Sequence, residues 1–346
     1  MPWTKVFLSE ADLNQFEAGE GLRSLSYVNA LNEAQLQLLE SDPRVFLIGE
    51  GVDDPGGIFA STLGLKDRFG TERVMDMPIA ENGMTGVAIG AAAAGMRPIF
   101  VHMRMDFLPM CMDQIVNHAA KWHYMSGGQV HVPLVIRSII GRGWGSAAQH
   151  SQALHGLFMH VPGLKIAIPA TPYDAKGLLI AAVEDGNPVL FVEHRWLYDS
   201  MGYVPEEKYT VPFGKGLVRK EGNDVTVVAL SQMVFEAVKA AKELESEGVS
   251  TEVIDPRTLR PLDIELILES LKKTGRLIIA DVACKTGGSG SEIAARIVEN
   301  APGLLKAPLK RVNFPDTPTP CSPVLEDAYY PNAATIKDAI RSTLAR

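Results

Sequence analysis

Two side chains in this sequence sit where their surroundings would give them chemistry. Glu81 closes the short approach Asp76-Met77-Pro78-Ile79-Ala80 and opens a run of small residues that includes Gly83, Gly86, Gly90 and Gly95. Glycines three and four apart share one face of a helix and let another backbone come close. A carboxyl at such a strand-to-helix junction meets little water, which disfavours its charged form and should raise its pKa. Glu81 could then hold or share a proton. The competing local reading, an ordinary first-turn acid facing solvent, is the commoner use of glutamate at a helix start. His150 lies in the glycine-rich loop 141–152, beyond the carboxyl end of a predicted strand, where open α/β sheets place their ligands. An imidazole there can exchange protons near neutral pH. His118, His123, His155 and His160 fall in helical stretches and read as structural.

The elements that must position these two groups alternate along the chain. A helix is expected over 24–39, a buried strand at Val45-Phe46-Leu47-Ile48, and the small-residue helix after Glu81. A strand at 98–102, a helix over 110–125, a strand at 132–137, a strand at 165–169, a helix over 172–184 and a strand at 188–192 follow. Apolar strands separated by helices imply a mostly parallel sheet covered on both faces. The polar, proline-containing stretch near 195–216 breaks the rhythm and reads as a linker. Strands at 225–230, 251–254 and 276–280 then alternate with helices over 233–248 and 263–273. The turn Gly287-Gly288-Ser289-Gly290 leads into a further helix, and a strand near Val312 and a helix from Ala333 end the chain. The fold class is α/β, in two three-layer α/β/α domains: an extension at 1–23, a first domain at 24–200, a linker at 201–217 and a smaller domain at 218–346.

Composition removes several function classes. A length of 346 residues suits two α/β domains, and 46% hydrophobic with 21% charged residues is the balance of a globular chain. A net charge of −8 with no basic block argues against a nucleic-acid surface. No apolar run is long enough to span a bilayer, and no signal peptide is evident at Met1. Cys111, Cys284 and Cys321 are widely spaced and lack metal-type spacing, which fits a cytoplasmic chain without disulfides. Gly49-Glu50-Gly51-Val52-Asp53-Asp54 follows a strand but carries acids that would repel phosphate, and no Walker loop is present. Gly287-Gly288-Ser289-Gly290 could bind an anion, but such loops usually only turn the chain.

A series of ordered blocks is more specific. Pro78-Ile79-Ala80-Glu81, Phe107, Asp113-Gln114-Ile115-Val116-Asn117, Gly127-Gly128, Ala148-Gln149-His150-Ser151-Gln152 and Pro162-Gly163-Leu164-Lys165 are joined by several later ones. These are Asp174-Ala175-Lys176-Gly177, Glu184-Asp185-Gly186-Asn187-Pro188, Arg257-Thr258-Leu259-Arg260-Pro261 and Leu325-Glu326-Asp327. From about residue 24 to the end the chain resembles the β subunit of the thiamin-diphosphate-dependent component of 2-oxo acid dehydrogenases of the pyruvate, branched-chain and acetoin types. That resemblance implies a pyrimidine-binding domain followed by a transketolase C-terminal-like domain. It implies that Glu81 bonds the aminopyrimidine ring nitrogen and favours the imino tautomer that deprotonates the thiazolium carbon, with Phe107 packed on the pyrimidine and Met103 beside it. It makes His150 an active-site histidine that orients substrate and assists acyl transfer. It also implies a structural potassium site at Leu134, Ala182, Asp185 and Asn187, although an Asp-Gly-Asn turn needs no metal to form.

One absence bears on partners. Thiamin enzymes bind the diphosphate through magnesium held by a Gly-Asp-Gly segment, and this sequence contains none. The resemblance therefore implies an α subunit that supplies magnesium ligation, in an α₂β₂ assembly, with a lipoyl-bearing acyltransferase core as acceptor. Two alternatives stay open: the small half of a split transketolase-like enzyme acting on an aldehyde or sugar, and a non-catalytic assembly partner of the same fold. His102, Arg104 and Arg142 depart from the usual pattern and could favour a more anionic or hydroxylated substrate, or reflect lineage alone.

Overall fold

In a computed structural model the described residues are 1–20, 22–141 and 145–345. The strands are β1 (Ser24–Ser26), β2 (Val45–Gly49), β3 (Val74–Asp76), β4 (Arg97–His102), β5 (Val135–Ile140), β6 (Lys165–Ala167), β7 (Val189–His194) and β8 (Met201–Tyr203). They continue with β9 (Leu217–Lys220), β10 (Val225–Ala229), β11 (Thr251–Asp255), β12 (Thr258–Arg260), β13 (Leu277–Cys284) and β14 (Lys310–Phe314). A seven-stranded sheet runs in the order β12-β6-β7-β5-β4-β2-β3 and a five-stranded sheet in the order β14-β13-β10-β11-β9. All neighbours within them are parallel except β12 against β6 and β9 against β11. Every residue of β2, β5, β7, β10 and β11 is buried. Strands covered on both faces must be apolar throughout, and these sequences are nearly so.

The covering helices are α1 (Glu10–Glu20), α2 (Tyr27–Ser41), α3 (Leu65–Phe69), α4 (Glu81–Ala93), α5 (Trp122–Met125) and α6 (His155–Met159). After them come α7 (Pro172–Glu184), α8 (Met233–Leu244), α9 (Ile264–Thr274), α10 (Ser289–Asn300), α11 (Pro323–Tyr329) and α12 (Ala333–Leu344). Local chemistry sets their ends. Thr171 accepts from the Asp174 N–H ahead of Pro172 and starts α7 where expected. The helix expected from residue 24 begins instead at Tyr27: Ser26 caps it by accepting from the Asn29 N–H, and 24–26 pair antiparallel with 201–203. The helix expected over 110–125 is broken into a 3-10 turn at Met105–Cys111 containing Pro109, a wide π-type turn at Gln114–Ala119, and the short α5.

The two sheets share a buried joint. β12 follows β11 yet joins the edge of the first sheet, so the chain crosses back between the units. Arg219 on β9 pairs with Asp174 of α7 and with Asp255 of β11 at 2.8 Å, and Arg257 reaches Asp174 at 3.2 Å. All but Arg257 are fully shielded, so the charges survive burial only because each is paired. The N-terminal segment straddles the same joint, with Trp3 stacked on Tyr173 at 5.9 Å and its carbonyl accepting from Arg219.

Candidate active site

Glu81 is the first residue of α4 and is 5% exposed. Its Oε2 is buried and has no hydrogen-bond partner in the chain. The solvent-facing cap is therefore not what the fold builds. Across from it stands Glu50, one residue past the end of β2, whose Oε1 is also buried and unpartnered. Burial, and then the charges of Glu81 and Asp76, push the Glu50 carboxyl above the usual carboxylate range. Gly49 makes this placement possible: a Cβ there would lie 2.5 Å from the Val101 carbonyl oxygen, so only glycine lets β2 end against β4. The turn is fixed by the Gly51 N–H donating to Asp76 at 2.8 Å.

Glu50, Glu81, Val101, His102, Met103, Arg104, Phe107 and His150 surround a cavity of about 190 Å³, room for one ring system. Phe107 and His150 meet edge to face with centroids 5.3 Å apart. His150 itself is exposed. The structure thus brings Glu81, Met103, Phe107 and His150 into one place. Sequence reasoning missed Glu50, using the acids at 50–54 only to exclude a phosphate loop; the available signal was its position just past an apolar strand. Two partnerless carboxyl oxygens beside an aromatic ring suit a flat heterocycle carrying a ring nitrogen and an amino group, so the residues present fit a pyrimidine.

The departures from pattern lie on the pocket wall. His102 is packed edge-on to Phe100, with its Nε2 3.8 Å from the Cys111 sulfur. Burial pulls its pKa down to about 3, so it is neutral at physiological pH and brings no charge to attract an anion. Burial also pushes the Cys111 thiol up to about 11. Arg104 donates to the Gly141 carbonyl at 3.0 Å and lies over the Phe59 ring, which Arg195 also approaches. Arg142 lies outside the described residues.

The expected potassium residues form another group. Leu134 precedes β5 and its carbonyl accepts from Val189, while Ala182, Asp185 and Asn187 lie at the C-terminal end of α7. The Asp185 carboxylate takes the Lys165 ammonium on one oxygen and both the N–H and the side-chain amide of Asn187 on the other. Among the described residues no group of three His, Cys, Asp or Glu side chains forms a metal-binding cluster, and no helix is long and apolar enough to cross a membrane.

The two sheets, their crossover and the acid-lined pocket define a transketolase-type two-domain protein. The transketolase pyrimidine-binding domain matches residues 23–200 and the transketolase C-terminal domain matches 214–336. The chain is 46% identical over 332 residues to the acetoin:2,6-dichlorophenolindophenol oxidoreductase subunit beta of Cupriavidus necator, covering 93% of this chain and 98% of that one. It is 44% identical over 319 residues to the 2-oxoisovalerate dehydrogenase subunit beta of Bacillus subtilis, covering 92% and 98%. A solved split-gene transketolase, an inactive β4 tetramer, superposes with a TM-score of 0.74 at 26% identity, over 93% of this chain and 98% of that one. The chain belongs to the β-subunit family of the thiamin-diphosphate-dependent 2-oxo acid dehydrogenases.

Proposed function

We propose that this chain forms the pyrimidine half of a thiamin-diphosphate site that cleaves the bond beside the ketone of a small 2-oxo acid and passes the acyl unit to a lipoyl group. The observation that carries the reading is the buried, partnerless Oε2 of Glu81 facing Glu50 and Phe107. When bound, thiamin diphosphate would supply a nucleophilic carbon and an electron sink. Glu81, itself only 5% exposed, would offer Oε2 to a hydrogen bond with the pyrimidine nitrogen. Phe107 would support the ring, with Met103 at its edge. His150, exposed at the rim, would orient the ketone and exchange a proton with substrate or acceptor.

The division of labour follows from the missing Gly-Asp-Gly segment. β subunits of this family work with α subunits, and we assign magnesium and the diphosphate to an α subunit in an α₂β₂ assembly, with the domains of this chain bounded at 24–200 and 218–346. Three free thiols suit the reducing cytoplasm. Thiamin-dependent reduction of dichlorophenolindophenol, measured for this chain alone and with its α subunit over pyruvate, 2-oxoisovalerate and acetoin, tests the proposal. Turnover should need both chains; full turnover by the isolated chain would refute it. The likeness to the split-gene transketolase favours a second reading, transfer to a sugar, which product formation with an aldose acceptor would reveal.

Potassium at Leu134, Ala182, Asp185 and Asn187 completes the proposal, supported by carbonyls and a carboxylate at the negative end of α7. Replacing sodium by potassium should raise the Tm by a few degrees, a shift of about 1 kcal/mol in a domain of this size. An unchanged Tm would leave the charge at that turn to Lys165.

A further inference from the structure

His155 and Asp281 are both fully buried, and neither has a role in the site described above. His155 opens α6, five residues after His150, and its Nε2 lies 3.0 Å from Asp281 Oδ1 on β13 of the second sheet. The next residue, Gly156, sits on the start of α10: a Cβ there would come within 3.0 Å of the Gly287 carbonyl and 3.4 Å of the Gly288 Cα. Asp281 Oδ2 also faces this turn, 3.6 Å from where a Gly288 Cβ would stand, and is buried without a hydrogen-bond partner among the described residues. The Gly287-Gly288 turn thus accommodates an internal acid and a crossing helix.

Part of the segment before this point borders a cavity. A cavity of about 590 Å³ lies between the residues flanking His150, among them Ala148, Ser151 and Gln152, and Thr286, Gly288 and Thr319 of the second unit. The described residues of the loop are tied to both units, and the Cys321 thiol donates to the Gly145 carbonyl. Gly145 donates to Glu326 at 3.3 Å, Gln152 donates to Asp106 at 3.0 Å, and the Leu154 N–H meets the Met105 sulfur at 3.1 Å. A segment beside a cavity takes its height from its anchors, and the buried His155–Asp281 contact is the anchor that reaches a strand of the second sheet.

We propose that His155 and Asp281 are positioning residues, through which the C-terminal domain sets the placement of His150 against Phe107. The inference rests on the active role given to His150 above. In the assembled enzyme, Asp281→Asn should lower kcat by about 10- to 100-fold, the scale of a misplaced reacting group. It should leave cofactor affinity unchanged, because Glu50, Glu81 and Phe107 are not touched. Combined with His150→Ala, it should cost no more than His150→Ala alone, since both remove the same function. The exchange His155→Asp with Asp281→His should recover part of the rate. If Asp281→Asn does not fold, Gly156→Ala gives the same reading by lifting α6 off the Gly287 carbonyl. A folded Asp281→Asn or Gly156→Ala enzyme with kcat within about twofold of the parent, or losses that multiply with His150→Ala, would overturn the proposal. Full turnover by His150→Ala alone would overturn the role of His150 itself, an outcome read without any variant of His155, Gly156 or Asp281.

Discussion

The floor and the rim of the pocket are built on opposite principles. Glu50, Glu81 and Phe107 hang from strand ends and helix starts of one sheet, with buried strands directly behind them. His150 is exposed, in a segment whose neighbours border a cavity and which is tied to the C-terminal unit at Gly145 and at His155. A group that must keep a proton away from water gains from rigid, closed surroundings. A group that must meet an incoming substrate gains from access, and it needs outside anchors to be accurate. Among the described residues the C-terminal unit contributes none to the pocket wall, but it contacts the segment that does.

The comparison breaks most severely at Glu81. Glu81→Gln keeps the shape and one oxygen but cannot give up and take back a proton. Turnover of the assembled enzyme should fall by about 10²- to 10⁴-fold, the range for losing a positioned acid or base. Folding should be little affected, because the Glu81 Oε2 makes no hydrogen bond in the chain. Steady-state rates beside a thermal melt check both halves, and a variant with near-parental turnover would remove the floor from the mechanism.

The support behind the floor is the next place to press. Arg137 of β5 is fully buried and donates twice to Glu193 of β7, at 2.6 and 2.9 Å, and also to Gln35 and Ser61. Tyr198 donates to the same Glu193 at 2.7 Å. Ser61 lies in the connection between β2 and α3 that begins at Glu50, so the network ties the sheet to that connection. Arg137→Met would strand the Glu193 charge and should destabilise the fold by about 3–5 kcal/mol. Arg137→Met with Glu193→Gln should recover most of that loss, because the uncompensated charge is gone. Urea unfolding of the three proteins decides the matter; equal midpoints for the single and double variants would mean that charge is not the cause.

Much of this was legible in the sequence, and the exceptions share a cause. The buried strands and α7 were readable because each is fixed by its own residues: continuous apolar runs, or the Thr171-Pro172 start. The meeting of Glu81, Phe107 and His150 in one cavity was expected from the ordered blocks, and the burial of Glu81 also from its junction. Glu50 was not, since its partnership with Glu81 is made across the C-terminal ends of neighbouring parallel strands. The 105–125 region misled because apolar spacing does not report the 3-10 turn at Pro109 or the wide turn after it. His155 looked structural from its helix, and its partner lies 126 residues away on another sheet. Helical periodicity carries no information about such a contact.

The smallest effect concerns the pocket wall and follows from one imidazole. His102 has an ordinary pKa of 6.5 when unfolded, and burial holds it at about 3 in the folded chain. Below pH 6.5 the unfolded state therefore binds a proton that the folded state refuses. Its contribution to stability is fully present above pH 6.5 and is lost as pH falls from there towards 3, at up to about 1.4 kcal/mol per pH unit. His194 behaves in the same sense for the same chief reason, burial, with Arg104 adding to it. His102→Phe keeps an aromatic ring in an apolar slot and removes one of these two proton sites. Between pH 7.5 and 5 it should lose about 2 kcal/mol less stability than the parent, measured by urea unfolding at each pH. A variant whose stability falls as steeply as the parent's would mean that His102 takes its proton in the folded state, and the wall of the pocket would then be open to water as its rim is.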